Sequence, residues 1–186
     1  MGELSVLRRI LLMNVMVFAY WQAAEAATAT SGPPIWQSQG ARFSVQLTPL
    51  NAEQAQAFFE NMGYPQGSVR EVAAVCVFGT TIRNSAGMPV RYDVGRWRAV
   101  TADGKRHRLI TKTDWLARWK AFGLQADWSI LPPRQTLQPG DWGQGFTTVD
   151  LPAGTRFNLN YEWTQDAIEH LASVRGVQCA PRALRP

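Results

Sequence analysis

The chain has 186 residues, a formal net charge of +5, 46% hydrophobic and 18% charged residues. That composition excludes an intrinsically disordered chain and gives enough apolar material for one core of ordinary size.

At the N-terminus, Arg8 and Arg9 precede an apolar run from Ile10 to Ala19, and Ala24-Glu25-Ala26 fits an A-x-A cleavage site. This three-part layout is that of a secretory signal peptide over residues 1–26. The apolar run is shorter than the ~20 residues a membrane-spanning helix needs. The expectation is therefore a periplasmic or secreted protein with no transmembrane segment after cleavage. Residues 27–41 contain Gly32-Pro33-Pro34 and read as a flexible lead-in. Residues 42–180 form a single domain, and residues 181–186, with two prolines and two arginines, form a disordered tail.

Arg42 to Leu47 alternates as a strand does. Thr48-Pro49 starts a helical segment that Asn51 caps, with Gln54 three residues on. Ala55, Phe58, Phe59 and Met62 form one apolar helix face. Ser68-x-x-Glu71 reads as a capping box ahead of a second helix, on which Val69, Val72, Ala73 and Cys76 share a face. Val75 to Arg83 is β-like, and Asn84-Ser85-Ala86-Gly87 is a turn. From Val90 to Val100 the parity of apolar residues changes at Gly95, which predicts a β-bulge. Asp103-Gly104 makes a hairpin turn to a strand over Lys105–Ile110. Thr111 to Phe122 is an inserted helix that buries Trp115, Trp119 and Phe122. Trp128–Leu131 is a short strand, Pro139-Gly140 a turn, and Trp142–Val149 a strand. Thr155 to Trp163 has the clearest alternation in the chain. Asp166–Val174 is ambiguous between helix and loop, and Val174–Cys179 is a last strand.

Short strands at this spacing, separated by Pro/Gly turns, predict a mainly β protein: an antiparallel Ig-like β-sandwich with two or three short accessory helices. Leu137–Asp141 followed by Thr155–Trp163 resembles the terminal strands of Ig-like exported accessory domains. Cys76 and Cys179 are the only cysteines. In an oxidising compartment they are expected to form one disulfide.

The sequence carries no G-x-S-x-G, no phosphate-binding glycine loop, no H-E-x-x-H and no C-x-x-C. The expectation is no catalytic residue, no cofactor and no metal. His107, His170, Met62 and Met88 could offer copper ligands, but no two share a short ligand spacing. Charge is the stronger signal. Arg91, Arg96, Arg98, Lys105, Arg106, Arg108 and Lys112, against Asp93 and Asp103, place a net +5 between Val90 and Lys112. On a hairpin Arg96 and Arg98 stand near Arg106 and Arg108, and these four are the expected contacts for an anionic partner. The exposed-aromatic alternative centres on Trp115, Trp119 and Phe122, with Trp142 as a rim residue. The functional expectation is an exported, non-catalytic accessory protein that binds another envelope or extracellular protein, for which an acidic surface is the natural complement. Nucleic acid is not an expected partner. The alternative is a ligand-binding module for carbohydrate or an anionic envelope polymer, with copper binding or enzymatic activity behind it.

Overall fold

The computed structural model describes residues 32–38, 42–125 and 127–182. The expected signal peptide, the start and end of the expected lead-in, and residues 183–186 of the expected tail lie outside them. The protein is a mainly β, antiparallel structure with three short helices. Its strands are β1 (Trp36–Gln37), β2 (Phe43–Leu50), β3 (Cys76–Asn84), β4 (Val90–Asp93), β5 (Arg98–Thr101), β6 (Arg106–Ile110), β7 (Arg134–Leu137), β8 (Trp142–Val149), β9 (Arg156–Gln165) and β10 (Ile168–Gln178). The helices are α1 (Ala52–Asn61), α2 (Gln66–Ala73) and α3 (Lys112–Trp119).

The strands form one bent sheet in the order β1-β2-β3-β8-β6-β5-β9-β4-β7, with β10 on the other side of β9. The bend lies in β6, where Arg106–Arg108 pair with β5 while Leu109 and Ile110 pair with β8. The first arm holds β1, β2, β3 and β8, and the second is built around β9. Alternation explains the core between them. On β2, Phe43, Val45 and Leu47 are buried; on β9, Phe157, Leu159, Tyr161 and Trp163 are buried. Phe43 packs against Tyr92, Tyr161 and Trp163 with ring centroids 5.6–6.0 Å apart, and Phe78 against Phe157 at 5.7 Å. The Tyr161 hydroxyl donates to the Phe43 carbonyl at 3.0 Å. Cys76, at the start of β3, is disulfide-bonded to Cys179, just past β10, with Cα atoms 5.4 Å apart. The bond ties the two arms together.

A second apolar cluster lies on the outer face of the first arm. Ala55 and Phe59 of α1, Val69 and Val72 of α2, and Trp115 and Trp119 of α3 cover Val77 and Ile110. Trp115 and Trp119 stack at 4.9 Å, and the Trp115 indole N–H donates to Thr148 Oγ1 at 2.8 Å. Both expected helix starts at Asn51 and Thr111 are capping boxes, with Gln54 and Asp114 answering at the third position.

Several expectations are corrected. Thr48 and Pro49 belong to β2, which runs to Leu50. Proline is tolerated there because β1 covers only Gln46 and Leu47, leaving β2 an edge beyond them. Phe58 and Met62 are 36% and 54% exposed, because α1 buries only Ala55 and Phe59 against the sheet. Ser68 is no cap: α2 starts at Gln66, and the Ser68 hydroxyl donates back to the Pro65 carbonyl at 2.7 Å. Cys76 opens β3 and is not on α2. Phe122 is 37% exposed, its ring lying against Gly67 after a 3-10 turn over Lys120–Phe122. The expected bulge at Gly95 is larger than one residue. Tyr92 pairs with Trp163 and Arg98 with Asn160, so a 3-10 turn over Val94–Arg96 carries the extra residues. Trp128–Leu131 contributes only a bridge from Ile130 to Phe146, and β7 was not expected. Residues 168–174 are strand: β10 hairpins onto β9 through Asp166 and Ala167, both at positive φ. Within the lead-in, Trp36–Gln37 pair with β2, so that stretch is not free of structure throughout.

Candidate functional site

The arginine cluster lies on the outer face of the second arm. Arg98 is directly opposite Arg108, and Arg106 is opposite Val100, so these three share one face. Arg96 does not join them, because it sits in the 3-10 turn. Like charges so close need offsets, and the fold supplies them. Arg98 Nη1 donates to the carbonyls of Gly95 and Trp97, both at 2.7 Å. Arg108 Nη1 reaches Asp114, the capping-box residue of α3, at 2.9 Å. Arg96 pairs with Glu162 and, at 2.7 Å, with Glu169. The Arg96 guanidinium holds the Glu169 carboxyl below its ordinary range. Arg134 pairs with Asp93 at 2.7 Å. A groove of about 390 Å³ on this face is lined by Arg91, Arg96 and Arg134 together with Asp93, Glu162 and Glu169. Its charges alternate, and the groove is close to neutral. Among the described residues, Arg91, Arg98 and Arg106 have no carboxylate partner within 4.0 Å. These are the cations left for an anionic contact.

The second surface is a trough on the outer face of the first arm, beside α1. It has a volume of about 390 Å³ and is walled by Phe58, Phe146 and Trp128, with Thr48, Thr81 and Gln144 on its floor. Trp128 is 88% exposed, the most exposed large apolar side chain among the described residues. Its neighbour Asp127 is buried and holds the turn. The Asp127 carboxylate accepts from Ser129 N at 3.1 Å, Ser129 Oγ at 2.6 Å, Ile130 N at 2.8 Å and the Tyr64 hydroxyl. Lys112 Nζ lies 4.0 Å from the same carboxylate and 5.5 Å from the Trp128 ring centroid. The loop sits tightly on β8: a Cβ on Gly145 would come within 2.6 Å of the Leu131 backbone nitrogen, so glycine is required there. Sequence reasoning placed Trp128 in a strand and missed this presentation. The available signal was the Asp-x-Ser order at 127–129, a side chain able to bond the backbone two residues on.

The third surface is the edge of β10. This eleven-residue strand pairs with β9 on one side, and among the described residues no strand pairs with its other side. Ile168 and Leu171 are 60% and 77% exposed.

The candidate copper ligands do not converge. His107 is opposite Ala99 on β6, while His170 stacks on Trp163 at 5.3 Å, and Met62 and Met88 are exposed. Trp115 and Trp119 are fully buried and are not a platform. Among the described residues no helix is long and apolar enough to cross a membrane. The chain matches no protein-family model, and no curated protein aligns with it.

Proposed function

We propose that this is an exported, periplasmic or secreted accessory protein without catalytic activity, and that it binds another envelope or extracellular protein along β10. The observation that carries the reading is the half-paired β10, with Ile168 and Leu171 exposed on it. An unpaired edge offers a row of backbone donors and acceptors to an extended segment of a partner. The disulfide suits an oxidising compartment, and an Ig-like arrangement of the two arms belongs to the same reading.

The arginines take a secondary part. Across the outer face, Arg108, Arg98, Asn160 and Ser173 form one row from β6 to β10. At ~4.8 Å per strand, Arg98 stands ~10 Å from β10, within reach of an acidic flank on the docked segment. Arg106 lies on the same face, while Arg96 and Arg108 are held by their carboxylates.

The test is site-specific photocrosslinking in the protein's own envelope. A crosslinker at Leu171 should give one discrete adduct, which disappears when Ile168→Lys is introduced and persists with Gln46→Lys on the opposite arm. Equal adducts from Leu171 and Gln46 positions, or none from Leu171, would reject the edge as the docking site.

A further inference from the structure

We propose that the trough on the outer face of β2, β3 and β8 binds an uncharged oligosaccharide, with Trp128 as its stacking platform. This site is separate from the β10 edge and does not depend on it. Strand pairing builds its floor in rows. Thr48, Gly79 and Phe146 form one row across the three strands, and Gln46, Thr81 and Gln144 form the next. Trp142, Gln144 and Phe146 share one face of β8 at intervals of about 7 Å, so the surface continues from the trough toward the 56%-exposed Trp142. Phe58 meets Phe146 edge-on at 4.7 Å and closes the side next to α1.

The chemistry of the lining selects the ligand class. No charged side chain lines the trough among the described residues. The nearest cation, Lys112, lies 5.5 Å from the Trp128 ring centroid and already faces the Asp127 carboxylate at 4.0 Å, so a phosphate or an anionic polymer would find little free countercharge there. What the trough does offer is aromatic surface beside hydroxyl and amide groups, from Thr48, Thr81 and Gln144. A pyranose has the matching character, with an apolar face to stack and equatorial hydroxyls to hydrogen-bond. A peptide fits less well. The floor is the face of a sheet, whose backbone groups point in-plane to neighbouring strands and so are not offered to a ligand above. The volume lies at the lower end of the range for small-ligand sites.

Two features shape the site. A buried carboxylate is costly unless it is bonded, and the bonds Asp127 makes are spent on fixing the turn that carries Trp128. Gly79, which carries no side chain, also lies on the floor of the trough. A Cβ there would meet nothing nearer than 3.8 Å, so nothing in the packing excludes a larger residue.

That opening supplies the experiment. Disulfide-bonded protein is titrated calorimetrically with maltohexaose, cellohexaose and chitohexaose, and with dextran sulfate and decaproline as contrasts. Saturable binding of at least one neutral hexasaccharide is expected. It should weaken by about tenfold or more in Trp128→Ala and in Gly79→Val, both with unchanged thermal unfolding, and be unaffected by Leu171→Lys. The proposal is overturned if none of the three neutral sugars binds, if dextran sulfate or decaproline binds in their place, or if sugar binding survives both trough substitutions.

Discussion

Trp119 has no exposed surface, and its ring contacts Trp115, Phe59 and Tyr64. Replacing it by alanine removes the centre of the outer cluster, and Trp119→Ala is expected to cost ~3–5 kcal/mol in denaturant unfolding. A loss below ~1 kcal/mol would mean that the helices rest on the sheet through other residues. Tyr64, beside it, links the cluster to Asp127. Burial, and then the hydrogen bond to Asp127, push its phenol up to about 12 from 10.0. Burial alone pushes Tyr92 up to about 12 as well. The folded protein thus holds both protons more tightly than the unfolded chain does. Their contribution is complete below pH ~10 and is lost as pH rises through ~12. Unfolding midpoints measured across that window should fall less steeply in Tyr64→Phe. At this scale the i, i+4 spacing of Trp115 and Trp119 was enough to find buried positions. Phe58, Met62 and Phe122 share the same periodicity yet are exposed, because periodicity marks a helix face and not how much of it the sheet covers.

Among the elements, the β9–β10 hairpin is the one its sequence hid. Its turn is Asp166-Ala167 at φ 50° and 59°, a pair in which only the first residue tolerates the left-handed region well. The usual Asn-Gly or Asp-Gly signal is missing, and β10 then loses register between Val174 and Val177, which breaks its alternation. The missing turn signal, together with the lack of any fully buried side chain from Ile168 to Ser173, explains why residues 166–174 gave no clear pattern. Ala167→Gly should relieve the turn and raise stability by ~0.5–1 kcal/mol in chemical denaturation, without altering the β9 pairing seen by amide exchange. A loss of stability would show that the turn is held by something other than its backbone preference. By contrast, β9 was legible along nearly all its length, because one side is core and the other solvent. The Gly95 region was legible as a change of phase but not as a 3-10 turn, since parity reports that residues have been added and not how many.

For the molecule as a whole, a mainly β antiparallel architecture with short helices followed from strand spacing and turn residues. The bend within β6 did not, because a strand that changes partners midway looks like any other in sequence. The arginine cluster shows the same limit. Its charge was plain, but two of the carboxylates that offset it, Glu162 and Glu169, are remote along the chain, and only Asp114 lies near its partner Arg108. The Cys76–Cys179 bond spans 103 positions. In the chain-entropy account a loop of that order contributes about 4.7 kcal/mol. A non-reduced digest of the native protein should contain the linked peptides, and reduction should lower the unfolding midpoint. Two alkylatable thiols in native material would contradict the bond.

The position of β9 has a consequence for synthesis. Among the described residues it is the only strand joining β4, β5 and β10. A nascent chain that has reached residue 155 therefore holds the whole first arm and the β5–β6 and β4–β7 ribbons, with nothing to zip those ribbons into a second arm. Contacts so distant along the chain are slow to form, and here the decisive ones must wait for the ribosome to deliver residues 156–178. Until then Phe43, Tyr92 and Trp97 have no lid. An unfinished chain is thus expected to stay open until those residues arrive, and on the export reading proposed above that delay would suit passage through a threading channel.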